Sequence, residues 1–370
     1  MALTCIRKHA VAGIDVITLD RGAILEHFVT LTPEKGETPK SLFRRVAEVV
    51  HALGGQVISA EVLGMSAQDR KYMPGLTRAI DGRHQPIGWV ENTRAENLCG
   101  VYVWIACGMP ITHVVSDGRV VGSLFEDGLA RCCRLTGLLP ADTSQSRPEQ
   151  ADAIFHQMDS LLVAQGLAFS DVFRTWFYNH DILAWYGDFN RVRTRFFEQK
   201  GVFDGLVPAS TGIGGGNAAD AALVAGLLAL RPKTEAVKVY TVPSPLQSSA
   251  RDYGSSFSRA VEVATPDHRR LYVSGTASID KAGKTVFLND TRAQVRQTME
   301  VVQAILCSRG MDWADVTRSL AYFKRAQDAP LLEAYCRDQA LAAFPVIIAE
   351  NDVCRDDLLF EIEVDAVKLM

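Results

Sequence analysis

The chain has 370 residues, 48% of them hydrophobic and 22% charged, so it reads as a globular protein of two or three compact units and not as a disordered one. Thirty-nine Lys and Arg against 43 Asp and Glu leave a net charge of -4, which excludes the basic surface that non-specific nucleic-acid binding needs. No run of 18 apolar residues offers a membrane span, and the charges inside the first 20 residues do not fit a secretory signal, so a cytoplasmic location is expected.

Along the chain, SLFRRVAEVVHAL is an amphipathic helix, stopped by Gly54 and Gly55 and followed by the strand-like QVISAEVLG. Between residues 65 and 140 come strand-like pieces, GVYVWIA and ITHVVSDGRVVGSLF, the second folding back at Asp117-Gly118. A helix follows Pro148 with Phe155, Met158, Leu161 and Leu162 at helical spacing; a matching one follows Asp290 with Val295, Met299, Val302, Ile305 and Leu306. Glycines (Gly166, Gly310) stop both helices.

The next segments repeat. GLAFSDVFRTWFY (166–178) and GMDWADVTRSLAY (310–322) share Gly166/Gly310, Asp171/Asp315, Val172/Val316, Arg174/Arg318 and Tyr178/Tyr322, five of 13 positions at an offset of 144. Ordinary residue frequencies would give about one match. Each copy continues into a second helix, 186–199 and roughly 329–341, and ends on a strand, 221–230 and 358–366. The polar stretch from Arg231 to Ser256 between them reads as a crossover link. The helix, Gly54-Gly55 stop and strand at 41–64 are a weaker third echo, so three α+β units are expected, with boundaries at 1–145, 146–245 and 246–370.

The eight cysteines form no CxxC pair and the eight histidines no HExxH or HxxxH, so neither disulfides nor a metal site is expected. The glycine-rich PASTGIGGG (208–216) lacks the Lys-Ser/Thr of a phosphate loop and the third Gly of the dinucleotide fingerprint, which argues against a nucleotide. In LLFEIEV, strand alternation sets Leu359, Glu361 and Glu363 on one face and Phe360, Ile362 and Val364 on the other. Two carboxylates beside an apolar run are either a solvent-facing stripe or a buried acid and its neighbour. Arg191 and Arg193 are two apart and do not share a helix face, whereas Tyr186 and Arg193 do. Tyr178 shares a strand face with Arg174 and Trp176, and suits a pocket wall or the core equally.

The phrases LYVSGTAS (271–278), DVTRSLAYFK (315–324) and FEIEVDAV (360–367) resemble the RidA/YjgF family of small trimeric proteins. That resemblance implies an α+β fold: mixed sheets with helices on one face, in tandem RidA/YjgF-like (chorismate-mutase-like) units arranged as a pseudo-trimer, with ligand sites at the junctions. A second resemblance is closer. RTWFYNHDILAWYGDFNRVRTRFFEQKGVF, PASTGIGGGNAAD, SGTASI and DVCRDDLLFEIEV, in that order, look like the chorismatases, which cleave chorismate and release pyruvate from its enolpyruvyl ether.

By this resemblance Glu361 is the proton donor to the enolpyruvyl methylene, with Glu363 its neighbour or a structural residue. Arg193 holds a substrate carboxylate, with Tyr178, Tyr186, Ser210, Thr211, Gly275, Thr276 and Ala277 as substrate contacts. Cys354, seven residues before Glu361, resembles the branch that forms 3-hydroxybenzoate; the hydrolytic branch, giving a dihydroxycyclohexadiene carboxylate, and a 4-hydroxybenzoate-forming branch are the alternatives. No cofactor is implied. The expected partner is chorismate, with no nucleic acid and no membrane, and a monomer is expected ahead of a homotrimer because three units in one chain satisfy what RidA proteins satisfy by trimerising. Two other classes compete: a RidA-like binding protein without turnover, and an imine deaminase. Against the latter, the arginine of the RidA-type PAR phrase is Ser210 here.

Overall fold

The computed structural model describes residues 4–81 and 85–370. Three units follow one another with the same order of elements. The first comprises β1 (Cys5–Val11), β2 (Ile14–Asp20), β3 (Leu25–Leu31), α1 (Pro39–Leu53), β4 (Gln56–Met65), α2 (Met73–Asp81), β5 (Ile87–Glu91) and β6 (Gly100–Cys107). The second comprises β7 (Ile111–Ser116), β8 (Arg119–Glu126), β9 (Ala130–Leu138), α3 (Arg147–Ala164), β10 (Val172–Asn179), α4 (Ile182–Gln199), β11 (Ala209–Gly214) and β12 (Leu223–Pro232). The third comprises β13 (Lys238–Val242), β14 (Ala260–Ala264), β15 (His268–Ala277), α5 (Thr291–Ser308), β16 (Val316–Phe323), α6 (Pro330–Asp338), β17 (Ile347–Glu350) and β18 (Phe360–Leu369).

Each unit is a six-stranded mixed sheet, ordered β1-β2-β3-β6-β4-β5, β7-β8-β9-β12-β10-β11 and β13-β14-β15-β18-β16-β17. The edge pairs β4–β5, β10–β11 and β16–β17 are parallel and the rest antiparallel, because only these hydrogen-bonded neighbours follow one another in the chain through a crossover helix; α1, α3 and α5 instead join strands that have another strand between them. The elements start and stop on local chemistry. Thr38 and Asp290 accept from Ser41 N and Ala293 N at the starts of α1 and α5. Ser146 and Glu149 form a capping box on α3, and Gly54 ends α1 at φ 69°. The hairpin turn expected at Asp117-Gly118 is present, both residues left-handed.

One face of each sheet packs on its own two helices in a separate apolar core. The opposite faces of all three sheets meet in a shared core containing Phe28, Trp104, Phe173, Trp176, Tyr272 and Leu320. The units thus surround a common axis as a pseudo-trimer. Being covered on both faces explains why a strand such as β10, VFRTWFYN, is buried at every position.

The sheets change over between Cys107 and Ile111 and between Pro232 and Lys238, ahead of the expected boundaries at 145/146 and 245/246. The 111–126 hairpin opens the second sheet instead of closing the first, since β8 pairs with β9 and β9 with β12. The polar stretch read as a crossover link is not one: it carries the edge strand β13, paired with β14. No helix among the described residues is long and apolar enough to cross a membrane.

Candidate active site

The inserted strands β6, β12 and β18 present one equivalent position at the three junctions between units. Counted from the bulge shared by their partner strands, Leu63, Tyr178 and Tyr322 correspond, and they pair with Gly100, Val224 and Glu361. At Gly100 the Ile347 side chain occupies the space a Cβ would need, 2.9 Å from its Cγ1. At the second junction β5 lies so close to β9 that a Cβ on Gly88 would sit 2.7 Å from Thr136 Oγ1, and Val224 joins the core. The third junction, between the second and third units, is an open cleft of about 540 Å³ with Glu361 in its wall.

Glu361 is 4% exposed and Glu363 is fully buried, so the solvent-facing alternative is excluded. Glu361 pairs with Ala277 across β15–β18, beside a bulge between Val273 and Thr276. The bulge places Gly275 against the carboxyl: a Cβ there would overlap Glu361 Oε1. Burial first, then the Glu363 carboxylate, pushes the Glu361 carboxyl up to about 8, so it holds its proton at neutral pH.

Facing it are three arginines. Arg193 is 1% exposed; its Nη2 donates to Asn190 Oδ1 at 2.7 Å and its Nη1 lies 3.5 Å from Ser210 Oγ. Among the described residues its Nε has no hydrogen-bond partner. Arg259, also buried, donates to Ser248 O at 3.0 Å and to the Tyr253 hydroxyl at 2.7 Å. Arg355, half-buried, donates to Gly283 O. The Phe257 ring lies under both Arg193 and Arg259, 5.9 and 5.5 Å from their guanidinium carbons. Among the described residues none of the three has a carboxylate within ion-pair distance, while a buried cation without a counter-ion is costly. Burial lowers the pKa of Arg193 and Arg259, as expected for such cations. The site is built for an anion.

Of the expected residues the cleft brings together Glu361, Cys354, Arg193, Tyr186, Ser210, Gly275 and Ala277. Burial pushes the Cys354 thiol up to about 12, so it is a neutral wall beside Tyr186. Three expected contacts lie elsewhere. Tyr178 points into the axial core next to Tyr322, Glu363 and Glu61. Thr211 turns its hydroxyl away from the cleft to Glu363, accepting from Arg174 at 2.7 Å and from Gly275 N at 3.1 Å. Thr276 spends its hydroxyl on Ser274 O at 2.8 Å. The cause is strand alternation: Ser210 and Gly212 face the cleft, so Thr211 cannot, and Thr276 stands between Gly275 and Ala277. Sequence reasoning missed Arg259, Arg355, Tyr253 and Phe257, which lie on irregular segments without periodicity. Among the described residues no group of His, Cys, Asp and Glu is arranged to hold a metal.

Known proteins resemble this chain in sequence and in fold. Residues 250–368 match the family described as endoribonuclease L-PSP, and the threefold topology makes the chain a tandem array of RidA-like units. Over 278 residues it is 26% identical to a chorismatase of Streptomyces hygroscopicus, covering 68% of this chain and 78% of that one. It is 28% identical over 240 residues to a 3-hydroxybenzoate synthase of the same organism, covering 58% and 68%. A crystallised chorismatase superposes on 92% of this chain and 98% of its own at a TM-score of 0.65 and 19% identity. The chain is similar in sequence to chorismatases and shares the fold of the crystallised one over nearly its whole length.

Proposed function

We propose that the protein cleaves chorismate to pyruvate and 3-hydroxybenzoate. One observation carries this: three arginines without acidic partners face one protonated carboxyl across the cleft, which suits a dianionic substrate needing a proton. Chorismate carries two carboxylates and an enol ether. Arg193 clamps one carboxylate, and Arg259 and Arg355 hold the other, with the Phe257 ring next to both buried guanidiniums. Glu361 donates its proton to the enolpyruvyl methylene, giving an oxocarbenium centre. Rearrangement within the ring system then expels pyruvate; substrate and the two products are isomeric, so no water is consumed and the proton returns to the enzyme. The walls of Cys354, Tyr186, Ile279 and Leu358 restrict water, and the relative named 3-hydroxybenzoate synthase supports the same branch. The three units in one chain support a monomer.

The test is purified protein with chorismate, following pyruvate while aromatic products are separated by chromatography and mass. Pyruvate with 3-hydroxybenzoate is expected. Pyruvate with a diol acid or 4-hydroxybenzoate would keep Glu361 as the donor and overturn the branch; binding without turnover would mean a RidA-like binding protein. Glu361→Gln should lose turnover by about 10²–10⁴-fold while still binding an unreactive analogue.

A further inference from the structure

Behind Glu361 runs a chain of buried charges that crosses all three units. Arg134 of β9 pairs with Glu61 of β4. Glu61 also takes Arg318 of β16 at 2.8 Å. Arg318 reaches Glu363 at 2.8 Å and Asp365 at 3.4 Å. Glu363 binds Arg174 of β10 at 2.7 Å, accepts from Trp176 Nε1 at 3.0 Å and from the Thr211 hydroxyl. Three guanidiniums thus meet the carboxyl groups of Glu61, Glu363 and Asp365, and every arginine in the chain is committed.

That commitment bears on Glu361, two residues from Glu363 on the same strand face. The groups around it are Glu363 on β18, Arg174 on β10 and Arg259 ahead of β14. Across the strand pair stands Tyr322 on β16, and around the cleft Arg193 and Tyr186 on α4, Tyr253, and Cys354 and Arg355 on the loop before β18. Arg174 is the cation that acts most strongly on the Glu361 carboxyl, ahead of Arg259, and Glu363 is its ion-pair partner.

Resting on the reading of Glu361 as the acid, we propose that Glu363, with Glu61 behind it, is a positioning residue that occupies Arg174 and Arg318 and so keeps Glu361 without a cationic partner and protonated. Glu363 also fixes the acid sterically: it holds the Thr211 hydroxyl, which accepts from Gly275 N, and Gly275 is the backbone against which Glu361 lies. The N-terminal unit, none of whose described side chains lines the cleft, thereby takes part in setting its chemistry.

The experiment is an infrared pH titration of substrate-free protein, reading the carboxylic-acid band that is lost in Glu361→Gln, alongside the pH profile of kcat/KM. A donor works protonated, so activity falls as pH rises through its pKa. In Glu363→Gln the Arg174 charge is released, and the Glu361 midpoint should fall by at least about one pH unit, carrying the alkaline limb of the profile down with it. Glu363→Gln/Arg174→Gln removes both charges and should bring midpoint and limb back up, which a merely structural role would not do. Glu61→Gln should lower the midpoint in the same direction by less. A midpoint unchanged or raised in Glu363→Gln overturns the proposal; if that variant does not fold, an unmoved midpoint in Glu61→Gln does so. Should Glu361→Gln retain turnover, the acid assignment fails, and the infrared midpoint still decides the coupling.

Discussion

Two sets of three arginines define this molecule. Arg134, Arg174 and Arg318 lie on the pseudo-threefold axis, each 3% exposed or less and each bound to a carboxylate. Arg193, Arg259 and Arg355 lie at one junction, and none is paired among the described residues. The same side chain, buried by the same sheets, has opposite meanings: a paired buried charge holds elements in register, and an unpaired one awaits a ligand. The sharpest way to break this comparison is to remove one of each. Arg174→Met leaves Glu363 short of a partner and should destabilise the fold by about 3–5 kcal/mol in urea unfolding. Arg193→Met relieves an uncompensated cation, so stability should hold or rise. Its effect belongs to the substrate: loss of about 1.5–3 kcal/mol of charge-assisted binding, a rise in KM of roughly ten- to a hundredfold. Equal destabilisation by both would erase the distinction.

Glu361 sits between the two sets and should show it in its linkage to pH. Its native pKa is raised to about 8, from an ordinary 4.5. Between those values the unfolded chain has lost the proton that the native protein keeps, so stability falls as pH rises through that window and levels off above it. Glu361→Gln has no such penalty. It should therefore be more stable than the parent by a few kcal/mol at pH 8, the gap closing toward pH 4, as read by thermal unfolding across pH. A gap independent of pH would mean that the carboxyl is ionised in the native state.

How much of this was legible in the sequence differs by region for physical reasons. Strand alternation is local and put Glu361 and Glu363 on one face, while the resemblance singled out Glu361 as the acid; the 144-residue repeat exposed the second and third units because both keep the segment around Arg174 and Arg318. The first unit keeps the topology without the residues: Ser59 and Glu61 stand at the positions of Arg174 and Trp176. The hairpin at Asp117-Gly118 was visible, yet its sheet is chosen by pairing of β9 with β12, some 90 residues away, which no local pattern records. The burial of Arg193 did have a signal, since Phe189, Val192, Arg193, Phe196 and Phe197 fall on one helix face. Arg259 and Arg355 had none.

A smaller effect tests how tightly the cleft is built around its acid. Gly275→Ala places a Cβ where Glu361 Oε1 lies, so the carboxyl or the bulge must shift. The stability cost should be about 1–3 kcal/mol, the ordinary range for overpacking. The fall in kcat should exceed what that cost implies, because a donor displaced by even an ångström loses its alignment. A fall in kcat no larger than the loss of stability explains would point to general loosening of β15 and not to displacement of the acid.

The smallest expected effect separates the two arginine sets without a mutation. Added salt screens charges that solvent reaches and leaves buried pairs nearly untouched, with a Debye length of about 10 Å at 0.1 M. A dianion is drawn through solvent toward the Arg193, Arg259 and Arg355 cleft, and salt screens that long-range attraction, so kcat/KM should fall a few-fold as ionic strength rises toward about 0.5 M. Sodium chloride, near the middle of the Hofmeister series, suits the measurement, because sulfate and phosphate would themselves change stability. The axial chain of Arg134, Glu61, Arg318, Glu363 and Arg174 should leave the urea midpoint unmoved over the same range. In Arg193→Met the salt slope of kcat/KM should become shallower, since one of the three attracting charges is gone. If salt lowered stability and left kcat/KM flat, the roles assigned to the two sets would have to be exchanged.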